Sequence, residues 1–149
     1  MAISKKLLRK FQVVWDQDPA FDRQADNWDA AWKAYVESRD PSGLPLKDGL
    51  KPSIFHCKPL TMGGFNRMLG EMTQLGQFIE AVRYGLDNVE GFEIDGVALK
   101  IDTSSHEPDG RERRLKAEVM DQLFDPILFA AIGAAIIFES QLDPTRARG

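Results

Sequence analysis

The sequence has little of what many catalytic and secreted proteins depend on. It holds one cysteine, Cys57, and two histidines among its 149 residues. One cysteine cannot form a disulfide within the chain, and so few cysteines and histidines cannot assemble a zinc pattern. It also has no Ser-His-Asp arrangement, HExxH motif, P-loop or dinucleotide fingerprint. The sequence therefore predicts a protein that is not an enzyme and has neither a metal nor a cofactor.

Long apolar runs and a positive net charge are also missing. The most apolar stretch, residues 127–138, is shorter than the roughly twenty residues that a membrane-spanning helix needs. The N-terminus lacks the continuous apolar core of a secretory signal. The net charge of −4 argues against the broad basic field that non-specific nucleic-acid binding requires. We therefore expect a cytoplasmic protein that binds neither membrane nor nucleic acid.

What is present is the composition of an ordinary globular protein. Hydrophobic residues make up 43% of the chain and charged residues 28%, and 149 residues suffice for one domain with its own core. The elements that the sequence predicts are mostly helical. The sequence thus predicts a predominantly helical single α+β domain over residues 1–149, with one or two small antiparallel β-hairpins.

Charge changes sign along the first thirty residues. Residues 1–10 carry four basic side chains and no acid, whereas five aspartates follow between residues 16 and 29. The basic stretch is either an arm for an acidic partner or a solvated start of the fold, and we favour the solvated start. The aspartates form an acidic segment, Asp16, Asp18, Asp22, Asp26 and Asp29.

Short strands are predicted at three places. "KFQVVW" favours a strand, and "SIFHCKPL" is the best strand candidate of the first half, with Phe55 and Cys57 on one face. "FEI" and "VALKI" are typical of a hairpin across Asp95-Gly96. The polar stretch at 102–113 predicts a mobile loop.

Helix signals cover much of the rest. "DNWDAAWKAYVES" predicts a helix with Asp26 as the N-cap and with Trp28, Trp32 and Tyr35 on one face. We favour packing of this face against the core over a role as an interaction hot spot. Two further helices are predicted, one capped by Thr61 and one ending at Gly85. Their expected apolar stripes are Phe65, Met68, Leu69 and Met72, and Leu75, Phe78, Ile79 and Val82.

The end of the chain carries the strongest helix-start signal. "RLKAEVMDQLF" predicts one helix, and Asp125 as N-cap with Pro126 at the first position predicts another that runs to about residue 142. This last helix is apolar all round over three turns, so it must be covered on most sides. We favour a buried core helix over a docking surface. Under the docking interpretation, the partner-binding candidates are Trp28, Trp32, Tyr35, Ile132, Ile136 and Phe138.

The order of these features resembles small structural and assembly proteins of tailed bacteriophages, particularly tail assembly chaperones. The stretches that carry the resemblance are "PSIFHCKPLTMGGFNRML", "YGLDNVEGFEIDGVAL" and the closing helices that end in "IIFES", so it covers roughly residues 52–140. The segment 10–40 has no counterpart in that pattern.

The resemblance implies a non-enzymatic morphogenesis protein of the tail, neck or virion. Its partners would be other phage structural proteins or further copies of itself. The expected locations are the host cytoplasm during assembly and the virion. One alternative is a phage-encoded inhibitor or regulatory module that binds a host protein through the acidic segment. A second is an enzyme whose site is assembled across the fold, with Glu71, Glu80, His56 and His106 as candidates.

Overall fold

A computed structural model describes residues 9–141 of the chain. The predicted basic arm therefore lies outside the described residues except for Arg9 and Lys10. In chain order the elements are β1 (Phe11–Val13), α1 (Trp28–Ser38), β2 (Ile54–Cys57), α2 (Met62–Leu69), α3 (Gln74–Gly85), β3 (Leu86–Glu90), β4 (Glu93–Ile94), β5 (Val97–Ala98), β6 (His106–Asp109), β7 (Glu112–Leu115), α4 (Ala117–Leu123) and α5 (Pro126–Ser140). The fold is a single α+β domain dominated by helices, which confirms the predicted fold class.

A three-stranded antiparallel sheet holds the first half of the chain together. Its strand order is β1-β2-β3, and both predicted strands, β1 and β2, are present. Phe55 and Cys57 are buried while Ile54 and His56 are half-buried, as the alternation predicts. The third strand, β3, was not predicted. It follows α3 without a loop, and a bulge in its pairing with His56 and Cys57 interrupts the alternation that would reveal a strand.

Two hairpins complete the β structure of the described residues. The predicted hairpin β4–β5 turns at Asp95 and Gly96, both with positive φ, as a two-residue type I′ turn requires. A second hairpin, β6–β7, occupies most of residues 102–113. The prediction of a loop there is wrong, because Gly110 with a φ of +63° allows a two-residue turn that pairs strands on both sides. The mobility of this segment stays a prediction.

Helix α5 is the centre of the main core. Asp125 caps it by accepting from the backbone N–H groups of Ile127 and Leu128, and Pro126 occupies the first position, as predicted. It packs against α3 so closely that a Cβ added at Gly133 would lie 2.7 Å from the Cα of Phe78. Seven of its fifteen residues are buried and four more are half-buried, so the core interpretation of this helix holds for most of its length. The buried residues are Leu128, Phe129, Ile132, Gly133, Ala135, Ile136 and Glu139.

The Thr61 cap of α2 and the end of α3 at Gly85 are as predicted, but the expected apolar stripes of both helices are only partly buried. Thr61 and Thr73 accept from the N–H groups of Gly64 and Gly76. Met68 and Val82 are buried as expected, whereas Met72 is 99% exposed. Met72 lies in the turn between the helices, where the 3.6-residue period no longer applies. Leu69 and Leu75, on either side of that turn, are exposed too.

Helix α1 covers a second, smaller core. Its cluster consists of Val14, Phe21, Tyr35 and Leu44, with Trp28, Ala31, Trp32, Val36 and Ile54 packed around them. The helix begins after Asn27 rather than Asp26, and the Asn27 side chain makes no capping bond. The tryptophan face thus packs on its own core, as favoured from the sequence.

Among the described residues no single helix is long and apolar enough to cross a membrane, although α4 and α5, bent by 115° at their junction, reach that length and apolarity as a pair.

Candidate partner-binding groove

The structure separates the six candidate contact residues into two groups. Ile132 and Ile136 are fully buried in the main core, so the prediction that they are surface contacts is wrong. They face inward because α5 packs on α3, where a Cβ at Gly85 would lie 2.7 Å from Ile136. Tyr35 is also buried and serves the smaller core. Trp28, Trp32 and Phe138 remain accessible in part.

Aromatic rings form a continuous row along α1. The Trp28 and Trp32 rings stack with their centroids 5.5 Å apart and their planes inclined by 27°, and the centroids of Trp32 and Tyr35 are 4.9 Å apart. Phe21 extends the row at the other side of Trp28, with a centroid distance of 5.5 Å. Such stacking fixes the ring positions, so Trp32 presents a rigid surface.

Trp32 and Phe138 meet across an open groove between α1 and α5. The groove has a volume of about 480 Å³. Its lining is mostly apolar, with Val13, Val14, Trp32, Val36, Ala131, Ala134, Ala135 and Phe138 as the apolar members and Asp16 and Arg39 as the charged ones. The three alanines keep the α5 wall low, so a main chain can approach closely. Phe138 is 45% exposed at this wall.

The hydroxyl of Tyr35 closes the free edge of β1 beside the groove. It accepts from the backbone N–H of Val14 at 2.9 Å and donates to the carbonyl oxygen of Gln12 at 3.3 Å. Burial raises the pKa of Tyr35, so the hydroxyl keeps its proton and can donate. Unpaired strand edges otherwise attract other chains. Because Tyr35 occupies this edge, the groove offers side-chain surface instead of a free strand.

An ion pair beside the groove joins the end of α1 to α5. Arg39, just after α1, has a positive φ of 56°, which turns its side chain back over the helix end. Its Nε lies 3.5 Å from Oε1 of Glu139, with the two side chains only 11% and 9% exposed. Its guanidinium also lies over the Tyr35 ring, 5.4 Å from the centroid. Glu139 thus balances the charge of Arg39, and Asp16 gives the groove a negative rim.

Two of the five aspartates in the acidic segment form hydrogen bonds with the backbone. Asp18 accepts from the backbone N–H groups of Ala20 and Ser53, at 3.0 and 2.8 Å. Asp22 accepts from the N–H of Gln24. These two carboxylates hold loops together. The remaining acidic surface, from Asp16, Asp26 and Asp29, lies in the segment that leads from the groove into α1.

A polar cluster ties the hairpin β6–β7 to α2 and α3. The Tyr84 hydroxyl donates to Asp109, and Arg67 lies 3.4 Å from the same carboxylate. Arg114 lies 3.1 Å from Glu107 and 3.7 Å from Asp109. The Tyr84 hydroxyl, and then the guanidinium groups of Arg67 and Arg114, lower the pKa of Asp109 below its usual range. Each carboxylate faces an arginine, as expected of a cluster that fastens a hairpin.

The two histidines considered for catalysis serve local contacts. His56 lies 2.7 Å from the Glu90 carboxylate across the sheet, and His106 contacts the carbonyl oxygens of Asp102 and Leu86 at 2.8 and 2.9 Å. Burial raises the pKa of Glu80, and the charge of Glu71 adds to this. Within residues 9–141 no three His, Cys, Asp or Glu side chains are grouped so that they could hold a metal ion.

Sequence reasoning missed most of the groove. Val13, Val14, Asp16 and Arg39 come from β1, the loop after it and the end of α1, and only the tertiary fold brings them beside α5. The local signals were the aromatic face that carries Trp32 and the apolar helix that carries Phe138. No family model matches the chain, and no curated protein or solved structure matches it either. Function is therefore inferred from the groove and from the sequence resemblance.

Proposed function

We propose that this protein acts without catalysis, through protein-protein contacts made at the groove between α1 and α5. The observation that carries this proposal is the meeting of Trp32 and Phe138 in one apolar groove. Rigid aromatic side chains at the centre of an apolar depression are typical of the few residues that supply most binding energy at interfaces. The setting that we propose is tail, neck or virion assembly of a bacteriophage, and it rests on the resemblance of residues 52–140.

Site-specific crosslinking tests the contact surface. A photoreactive amino acid replaces Ala134 in the groove in one variant, and Ala30 on the opposite face of α1 in a control variant. Both alanines are exposed, so both variants should fold. In cells that express the gene in its native context, we expect crosslinks to phage structural proteins or to further copies of the chain from position 134 only. Equal products from both positions, or none from position 134, would reject the groove as the contact surface.

Purified particles then separate two forms of the proposal. An assembly chaperone should be absent from finished particles, whereas a virion component should be present in a fixed copy number. Quantitative mass spectrometry of particles from the same cells gives the answer. If the protein crosslinked at position 134 is not a phage protein, the result would contradict the phage setting. The proposal that the groove binds a protein would still stand.

A further inference from the structure

We infer that the groove binds residues 1–8 of a second copy of this chain, giving a head-to-tail contact. This inference rests on the proposed function, because it names the occupant of the same groove. The walls of the groove are apolar and its rim carries Asp16, while Arg39 is paired with Glu139 at 3.5 Å. An occupant with apolar side chains next to cations matches both features.

The chain carries such a segment in its own sequence. Residues 1–8 read "MAISKKLL", with Ile3, Leu7 and Leu8 as apolar anchors and Lys5 and Lys6 as cations. No acidic residue occurs before Asp16. Asp26 and Asp29, just before and within the first turn of α1, are exposed as well. The chemistry of the segment therefore complements that of the groove, in both its apolar and its charged parts.

Chain direction disfavours binding of this segment in the groove of the same copy. The segment joins β1 at its start, Phe11, whereas the groove lies at the other end, around Val13, Val14 and Asp16. To reach it, the segment would have to reverse and run back along the free edge of β1. Tyr35 occupies that edge through its bonds to Val14 and Gln12. The groove of a second copy presents no such obstacle.

A contact of this kind uses two different surfaces of the molecule. Each copy offers one groove and one segment, so the contact is heterologous and can continue into rings or filaments. This geometry can be distinguished from a symmetric dimer by mixing two variants. A variant with a blocked groove and a variant with a blocked segment should each be monomeric alone, yet should form a 1:1 complex when mixed.

The experiment is light scattering of the full-length chain over a wide concentration range. Ala134→Glu blocks the groove at an exposed position, and Leu7→Glu with Leu8→Glu blocks the segment. Met72→Glu, at a fully exposed apolar side chain far along the chain from the groove, is the control. We expect the parent and Met72→Glu to show a mass that rises with concentration, and both blocked variants to stay at the monomer mass. Their mixture should double in mass and stop there.

Three results would overturn the inference: a parent protein that is monomeric throughout, blocked variants that still associate, or a mixture that stays monomeric. Circular dichroism confirms that every variant is folded. Failure of this inference is distinguishable from failure of the proposed function. If self-association is absent but position 134 still crosslinks to another phage protein, the groove binds that protein and not residues 1–8 of a second copy.

Discussion

At the scale of single residues, one hydroxyl links helix α1 to the sheet. Tyr35→Phe keeps the ring but removes the acceptor of the buried Val14 N–H and the donor to Gln12. A buried backbone group without its partner costs about 1–3 kcal/mol, so we expect the free energy of unfolding to fall by that amount. Urea unfolding measures it, and hydrogen exchange at the Val14 amide should accelerate. An unchanged midpoint with unchanged exchange at Val14 would show that water replaces the hydroxyl.

Asp109 gives the protein an acid-sensitive contact. The Tyr84 hydroxyl and the neighbouring arginines lower the pKa of Asp109 in the folded state. A lowered folded pKa stabilises the fold above the unfolded value of about 3.9, and this stabilisation is lost as the pH falls through the folded pKa. Asp109→Asn should therefore be less stable than the parent at pH 6, and the difference should shrink as the pH falls below about 4.

Melting temperatures of both proteins between pH 6 and pH 3 check this prediction. Asp26→Asn, at an exposed position, controls for the loss of one negative charge. A difference between Asp109→Asn and the parent that stays the same or grows in acid would mean that the Asp109 carboxylate does not hold the hairpin.

At the scale of elements, the contact between α3 and α5 depends on a glycine. Replacing glycine by alanine inside a helix usually stabilises it by about 1 kcal/mol. At Gly133, however, the new Cβ would lie 2.7 Å from the Cα and 2.8 Å from the carbonyl oxygen of Phe78. These are backbone atoms, so the two helices must move apart. We expect Gly133→Ala to lower the free energy of unfolding by about 1–3 kcal/mol, as overpacking does.

Gly63→Ala in α2 is the matched control. Its new Cβ would meet Oε1 of Glu112 at 2.7 Å, which is the end of a flexible side chain that can turn away. Urea unfolding of both variants separates backbone contact from helix propensity. Equal effects at the two positions would contradict the close packing of α3 on α5.

The elements that were predicted correctly share strong local signals. Thr61 and the Asp125-Pro126 pair mark helix starts through bonds within one turn, and Asp95-Gly96 marks a hairpin through its own backbone angles. Strands β6 and β7 were missed because their stability depends on contacts with α2 and α3. The side chains of "HEPD" and "ERRL" are mostly charged and give no apolar alternation. Their Gly110-Arg111 turn was the only local signal.

At the scale of the whole molecule, the candidate site escaped prediction for a related reason. Sequence periodicity identified the α1 face that holds Trp32, and composition identified the apolar helix that holds Phe138, but neither showed that the two residues line one groove. It also placed Ile132 and Ile136 on the same apolar helix without telling which side the core covers. A helix that is apolar all round has no polar face to orient it. Its orientation is set by Gly133 and Gly85, which bring α3 onto one side.

The pair Arg39 and Glu139 connects the small core under α1 with the main core around α5. Removing one member of a buried ion pair leaves the other charge uncompensated, at a cost of about 3–5 kcal/mol. Glu139→Gln should therefore destabilise the α1 region first. With Trp15, which packs against the main core, replaced by phenylalanine in every protein compared, Trp28 and Trp32 report on that region by fluorescence, whereas circular dichroism reports on all the helices. In the parent both signals should change together, and in Glu139→Gln the fluorescence should change at lower urea.

The double variant Arg39→Met with Glu139→Met separates the charge from the packing. Apolar replacement of a whole buried pair is often neutral or stabilising, so its stability should exceed that of Glu139→Gln. Its two unfolding signals should coincide again, because side chains of similar length still join α1 to α5. If Glu139→Gln unfolds in one step at the parent's midpoint, the pair contributes nothing, and the groove then depends only on the aromatic row and the alanines of α5 for its shape.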